Sequence, residues 1–242
     1  MAGEKKSIDW VLVGLVLAVG LFAGALLFPK SNVQYVSNVT CPSCQSLFSG
    51  NENLGVLYLY PVECPACNVS RVNAVVSSTG VPFMAFMNDG VQYPNVLVVY
   101  RNSSADQSIS TIARASNDYN VVSTLCLAKN QMACEMKDGM ASVMQSCLGR
   151  EGIPLDSVIY YYSDWCGTLC NNMNDSLLAI EKDGFNVVRI NERDSTPVKE
   201  CLKDFLNYAG GYPQMVCPRR VISNTGALSR NSLESFAEEC RK

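Results

Sequence analysis

Cysteine is the residue that most constrains what this chain can fold into. The 242 residues include 12 cysteines and no histidine, and every cysteine lies beyond residue 40. Exported proteins oxidise such thiols to disulfides, whereas cytosolic proteins keep them reduced. Without histidine, the chain lacks the commonest metal ligand and the usual general base of a cysteine hydrolase. We therefore expect structural disulfides, a metal held by sulfur, or disulfide exchange.

Six of the cysteines form three closely spaced pairs. These are Cys41-Pro-Ser-Cys44, Cys64-Pro-Ala-Cys67 and Cys166-Gly-Thr-Leu-Cys170, the last of which follows Trp165. The first pair is compatible with either an accessory redox pair or a simple disulfide staple. The remaining six are expected to be staples or buried thiols: Cys126, Cys134, Cys147, Cys201, Cys217 and Cys240.

An uncharged apolar segment spans residues 10–28. Its length in a helix is about the 30 Å thickness of a bilayer core. Lys5 and Lys6 precede it, which favours a cytoplasmic N-terminus. The alternative interpretation is a cleaved signal peptide, but the apolar run is longer than the apolar core of such a peptide. Residues 1–30 are therefore predicted to be a cytoplasmic tip and a single transmembrane anchor in the cell membrane, with the rest of the chain extracytoplasmic.

The pattern beyond the anchor predicts α/β structure in two domains. Residues 31–50 are predicted to be a linker containing the first cysteine pair, and residues 51–150 and 151–242 are the two domains. Strands are predicted at 54–60, 82–87, 95–100, 157–162, 185–191 and 215–217, with another from Val221, and residues after 100 form a polar connection. Helices are predicted from the second cysteine pair to about 78, and at 118–147, 171–182, 197–208 and 232–240. Basic and acidic residues number 19 and 22 without a basic stripe, which disfavours nucleic acid as a partner.

The second domain resembles the thioredoxin family. Its predicted order is βαβαββα, with Trp165-Cys166 at the first strand-to-helix turn and Gly211-Tyr212-Pro213 just before the third strand. The resemblance implies that Cys166 is a redox nucleophile paired with Cys170, and that Pro213 is a cis-proline. The family has two residues between its cysteines, whereas this chain has three.

The first domain shows a weaker, abbreviated form of the same resemblance. A strand, the Cys64–Cys67 pair and a helix are followed by Tyr93-Pro94 before another strand, but the spacing leaves little room for an intervening helix. A cysteine at a helix N-terminus is favoured as thiolate. We therefore predict that Pro65 begins the helix, that Cys64 attacks and that Cys67 resolves the mixed disulfide.

Together these features predict a membrane-anchored, extracytoplasmic thiol–disulfide oxidoreductase. It would act on protein thiols or disulfides, need no cofactor for the exchange, and depend on a redox partner that recycles the pairs. One alternative is a non-catalytic binding module stapled by disulfides or by zinc at Cys41, Cys44, Cys64 and Cys67, whose spacing fits a zinc ribbon. A copper-handling protein is a third, which the lack of histidine disfavours.

Overall fold

A computed structural model describes residues 39–40, 47–48, 53–64, 67–88, 90–92, 94–101, 108–194, 196–208 and 211–242. They belong to one compact unit, Tyr35–Lys242. The predicted anchor and the Cys41–Cys44 pair lie outside the described residues. Within the described part of the chain, no helix has the length and apolar character needed to cross a membrane.

The first half of this unit is built on a five-stranded mixed sheet. Its strand order is β1-β5-β4-β2-β3, in which β2 and β3 are parallel and all other neighbours are antiparallel. The strands are β1 (Val39–Thr40), β2 (Leu54–Tyr60), β3 (Phe83–Met87), β4 (Asn95–Arg101) and β5 (Ser108–Ala115), and the helices are α1 (Val69–Ser77), α2 (Asp118–Leu127) and α3 (Gln131–Arg150).

The second half is built on a four-stranded mixed sheet of order β7-β6-β8-β9. Its strands are β6 (Val158–Tyr162), β7 (Val187–Asn191), β8 (Gln214–Cys217) and β9 (Ile222–Thr225), and its helices are α4 (Thr168–Lys182), α5 (Pro197–Leu202) and α6 (Arg230–Arg241). A short 3-10 turn, Asp164–Cys166, precedes α4. The predicted order βαβαββα is confirmed in this half.

The two sheets repeat the same topology. In the first sheet, β2 pairs in parallel with β3, which follows α1, and antiparallel with β4. In the second sheet, β6 pairs in parallel with β7, which follows α4, and antiparallel with β8. Tyr60 pairs with Met87 as Tyr162 pairs with Asn191, so the registers match as well. No helix lies between β3 and β4 among the described residues, whereas α5 lies between β7 and β8. The first half is thus the abbreviated copy, as predicted.

Alternation along β6 explains how the second sheet is covered on both faces. Val158 and Tyr160 point into a core formed with α4 and α6, whereas Ile159 and Tyr161 point into a core on the other face. Successive side chains of a strand point to opposite faces, so one buried strand can serve both cores. The second core includes Met144 and Leu148 of α3, so this helix packs beneath the second sheet although it precedes the predicted boundary.

Two predicted helices differ from the structure, and one strand is absent from the prediction. The helix predicted at 118–147 is two helices, because the chain turns at Lys129, whose φ is 66°, and Asn130 caps α3 through a bond from the Ala133 amide. The strand β5 was not predicted from its polar sequence. The helix predicted at 197–208 ends at Leu202; the Phe205 and Leu206 amides both donate to the Leu202 carbonyl in a turn, and the Tyr208 amide donates to Ser116.

Candidate functional site

The two described close pairs occupy equivalent positions at the carboxyl ends of parallel strands. Cys64 follows the last residue of β2, Tyr60, by four positions, and Cys166 follows the last residue of β6, Tyr162, by the same interval. Ligand and reaction sites of open α/β sheets lie at this edge. The equivalent strands β4 and β8 begin at Asn95 and Gln214, so the preceding residues Pro94 and Pro213 also correspond.

The turn at Cys166 accommodates the additional residue between its cysteines. The Cys166 amide donates to the Ser163 carbonyl, and α4 begins only at Thr168. Gly167 lies between them at φ +57° and ψ −131°, a conformation almost confined to glycine. Cys166 therefore precedes the helix instead of beginning it, and its Cα lies 5.5 Å from that of its disulfide partner Cys170.

The two cysteines of this pair differ in accessibility. Cys170 is buried with 7% of its surface exposed, whereas Cys166 is only half-buried. Two large apolar side chains beside them face solvent, Trp165 at 65% and Leu169 at 54% exposed. Cys166 is therefore the more exposed residue of the pair, and it lies next to exposed apolar surface.

The Trp165 indole is held against the loop that contains Pro213. Its Nε1 donates to Glu192 at 3.1 Å, and its ring packs edge-on against Tyr212 with centroids 5.2 Å apart. The peptide bond between Tyr212 and Pro213 is cis. These contacts place the Pro213 loop, the end of β7 and the Cys166 turn next to one another.

Glu192 is a charged group of this site that the sequence analysis did not single out. Partial burial opposes its ionisation, but its polar neighbours, among them the Trp165 indole that donates to it and the Lys199 ammonium, lower the pKa of its carboxyl below the ordinary value. The Lys199 ammonium donates to the Glu192 carbonyl at 2.6 Å. Its position just after β7 was an available signal, because the ends of adjacent parallel strands meet at one edge.

An ion pair and a hydrogen bond fix the start of the turn. Asp164 accepts from the side chains of Asn191 at 2.5 Å and Arg193 at 2.9 Å. Both partners lie at the end of β7 or just beyond it, so the Cys166 turn is bound to the neighbouring strand by side chains as well as by packing.

The Cys64–Cys67 pair lies before its helix, which corrects the predicted role of Pro65. The helix α1 begins at Val69, and the Asn68 side chain caps it by accepting from the Arg71 amide at 2.9 Å. The Cys67 amide donates to the Cys64 carbonyl at 3.1 Å, so the disulfide closes a turn of its own. The prediction that this helix starts at the pair is therefore wrong, and Pro65 itself lies outside the described residues.

This pair shares two other features with the second one. Cys67 packs against the core of the first sheet, whereas Cys64 is half-buried and belongs to no core cluster. Val62 is 58% exposed and Met87 is 57% exposed, at the same edge of the sheet. Both cysteines of this pair are half-buried, and the pair, like Cys166–Cys170, lies beside exposed apolar side chains.

The other described cysteines are also paired, in three disulfides that link separate elements. They are Cys126–Cys134 between α2 and α3, Cys147–Cys201 between α3 and α5, and Cys217–Cys240 between β8 and α6. Among the described residues no cysteine is free. Cys126 and Cys134 can pair, with Cα atoms 4.5 Å apart, only because the predicted single helix is broken. These sulfurs therefore hold elements of the fold together, as predicted.

Two predicted roles of Cys41 and Cys44, in a zinc site and in a redox pair, remain hypotheses. The zinc alternative needs Cys41 and Cys44, which lie outside the described residues, together with Cys64 and Cys67, which are bonded to each other. No cluster of three or more potential metal ligands occurs in the part of the chain that the structure describes. The accessory redox role of Cys41 and Cys44 likewise stays a prediction.

Comparisons of the chain with protein-family models, with curated proteins and with solved structures found no match in any of the three.

Proposed function

We propose that this protein is a thiol–disulfide oxidoreductase with two exchange sites, Cys64–Cys67 and Cys166–Cys170, each on a thioredoxin-like half. The observation that carries the proposal is repetition. Of the five disulfides among the described residues, these two alone occupy equivalent places in the two sheets. A staple has no reason to recur at the carboxyl edge of each sheet, where reaction sites of α/β folds lie.

Accessibility assigns the roles within the Cys166–Cys170 pair. A thiolate of the substrate attacks Sγ of Cys166; the bond between Cys166 and Cys170 breaks, and Cys170 leaves with the electron pair and takes up a proton. A second substrate thiolate then attacks the substrate sulfur of the mixed disulfide and releases Cys166. The substrate dithiol is thereby oxidised by two electrons and the protein pair is reduced. The reverse sequence, begun by Cys166, reduces a substrate disulfide.

The surroundings of Cys166 support this chemistry. Cys166 lies two residues before the start of α4, at the positive end of the helix dipole, which favours its thiolate. Trp165 and Leu169 offer apolar surface for an unfolded or extended substrate. We assign equivalent roles to Cys64 and Cys67, with Val62 and Met87 as the apolar neighbours.

The proposed setting follows from the N-terminal sequence. Residues 10–28 would anchor the protein in the membrane with the exchange sites outside the cytoplasm, where substrates acquire disulfides. No cofactor takes part in the exchange, and a redox partner in the membrane or in solution would return the pairs to their starting state.

Differential alkylation across a glutathione redox series tests the proposal. Purified protein is equilibrated at each potential, alkylated and analysed by mass spectrometry for every cysteine pair. We expect Cys64–Cys67 and Cys166–Cys170 to titrate as two-electron couples between about −120 and −270 mV, and the other three pairs to stay oxidised below about −300 mV. A stapled binding module would be supported instead if all five pairs shared a single transition, or if both close pairs resisted reduction.

Substrate capture provides the second half of this test. Replacing the inner cysteine by serine, as in Cys170→Ser, should trap mixed disulfides on Cys166, because no resolving thiol remains. The matched control is Cys240→Ser, which also frees one thiol, Cys217, but at a buried position. Equal capture by the two variants would contradict the assignment of Cys166 as the attacking group.

A further inference from the structure

The strand β3 forms one end of the first sheet, and no other described strand pairs with its outer edge. On its inner edge, the Val56 amide donates to the Pro82 carbonyl at 2.9 Å, and the Asn88 amide donates to the Tyr60 carbonyl at 2.8 Å. In a parallel ladder with this pattern, alternate residues of β3 bond β2, and the residues between them direct their N–H and C=O groups outward. The outward groups are therefore those of three residues, Phe83, Ala85 and Met87.

The sequence of β3 does not protect this edge against pairing. Natural edge strands are commonly guarded by a charge, a proline or a bulge. The strand reads Phe-Met-Ala-Phe-Met, and its outward backbone groups bond no other described residue. Ala85 packs towards the core that the sheet shares with α1, and Phe86 packs towards the core on the opposite face. A strand added here would therefore lie between apolar neighbours on both faces of the sheet.

The equivalent edge of the second sheet is closed. The strand β7 has the same place and register as β3, so Asn191 corresponds to Met87. The Asn191 amide donates to the Asp194 carboxylate at 3.1 Å, and the Asp194 amide donates to the Asn191 carbonyl at 3.0 Å. Arg189 adds a charge in the middle of that strand. In the part of the chain that the structure describes, the edge of β3 thus stays open where that of β7 is blocked.

The open edge leads to the Cys64–Cys67 pair. Met87 ends β3 level with Tyr60, and Cys64 follows Tyr60 by four residues. A strand paired with β3 would lie about 10 Å from β2, since neighbouring strands are about 4.8 Å apart, whereas four extended residues span about 13 Å. A segment that continues past Met87 therefore reaches the turn that contains Cys64. Val62 and Met87, 58% and 57% exposed, extend the apolar surface to that turn.

We propose that β3 binds an extended, apolar segment of the protein substrate as an additional strand, and thereby brings a cysteine of that segment to Cys64. This inference rests on the proposed exchange function, whose substrate class it specifies. Alternate side chains of the bound segment contact the two faces of the first sheet. Folded proteins bury such segments, so the substrate is a chain that has not completed its folding.

The length of the edge favours a substrate over a second copy of this chain. The five residues of β3 extend about 17 Å and offer the outward groups of three residues. Stable dimers bury about 800 Å² on each partner, more than pairing over this length alone provides. A substrate has to leave after each exchange, so a short strand that pairs briefly suits that role.

Binding of backbone-methylated peptides tests the inference without any exchange reaction. The probe is a fluorescein-labelled seven-residue peptide of alternating valine and threonine, with a central serine in place of cysteine. Its affinity for the full-length protein in detergent is measured by fluorescence anisotropy. N-methylation at positions 3 and 5 blocks one edge of the extended peptide, whereas the same number of methyl groups at positions 3 and 4 blocks both edges. We expect the first peptide to bind within about threefold of the unmethylated peptide, and the second to bind at least about tenfold more weakly.

Two proline substitutions locate the binding site. Ala85→Pro removes an outward N–H from the middle of β3, and the ladder to β2 does not use that amide. Val187→Pro makes the same change at the edge of β7. We expect Ala85→Pro to weaken binding of the unmethylated peptide at least about tenfold and Val187→Pro to leave it unchanged. Circular dichroism shows whether each variant is folded, and the methylated peptides test the unsubstituted protein in either case.

Equal affinities of the two methylated peptides, or equal effects of the two substitutions in folded variants, would overturn the inference. Sedimentation of the peptide-free protein detects the other occupant: a dimer that Ala85→Pro dissociates would assign the edge to a second copy and overturn the inference as well. Exchange with a small neutral dithiol, measured on the same samples, tests the proposed function separately. If exchange is present while the methylated peptides bind equally, only the edge assignment fails. If the peptides differ as expected without exchange, only the oxidoreductase proposal fails.

Discussion

Replacing both cysteines of the Cys147–Cys201 disulfide by alanine is expected to destabilise the protein about twice as much as the same change at Cys166–Cys170. The bonded residues are 54 positions apart in the first case and 4 in the second. The entropy removed from the unfolded chain grows with the logarithm of that separation, which gives about 4 and about 2 kcal/mol respectively. Cys201 and Cys170 are each 7% exposed, so the loss of core packing is similar in the two variants and the loop length decides the difference.

The proposed function requires this difference, because an exchange site would open in every cycle while the fold survives. Urea unfolding monitored by far-ultraviolet circular dichroism measures it, with both double variants compared with the oxidised parent at matched m-values. Equal losses of unfolding free energy, or a larger loss at Cys166–Cys170, would refute the reasoning that the close pairs contribute little to the fold.

Three further outcomes are expected. Gly167→Ala should lower the free energy of unfolding by about 1–2 kcal/mol, because φ is +57° there. Gly139→Ala, on an open face of α3, should raise it by about 0.5–1 kcal/mol. Thermal unfolding compares the two variants, and equal effects would contradict the positive-φ argument. In a Trp10→Phe background, the fluorescence of Trp165 should change with a midpoint below pH 4.5, because the folded state lowers the pKa of Glu192. The stabilisation of the fold by the ionised carboxylate is present above pH 4.5 and is lost as the pH falls through the folded pKa. Glu192→Gln should remove the transition. Arg71→Met should lower the unfolding free energy by about 3 kcal/mol, since it leaves the buried Asp118 carboxylate without its cation, and Arg230→Met, at an exposed arginine, provides the control in the same urea assay.

The strands that flank the candidate sites could be predicted because their signals are local. The runs ending at Tyr60 and Tyr162 combine β-prone residues with an immediate break in the pattern, and the cysteines follow at once. The helix α4 was recognisable from Met173, Leu177 and Ile180, which are spaced to lie on one face and are all buried.

Other features follow from contacts between distant residues and could not be read locally. The strand β5 has a polar sequence and is a strand because β4 offers it an edge to pair with. Asn68, not Pro65, decides where α1 begins, since its side chain satisfies a free amide of the first turn. The chain after α5 is joined to the first half by the Tyr208 amide, which donates to the Ser116 carbonyl.

The sequence by itself determined the repeated order of strand, cysteine pair and helix, because spacing along the chain sets which residues follow the end of a strand. Only the tertiary structure decided that Glu192 holds Trp165 beside the Pro213 loop, and that Arg71 donates to the Lys203 carbonyl of the other half. The physical reason is that such contacts join residues far apart in the chain. Their formation depends on the packing of both sheets, and no local pattern of residues encodes it.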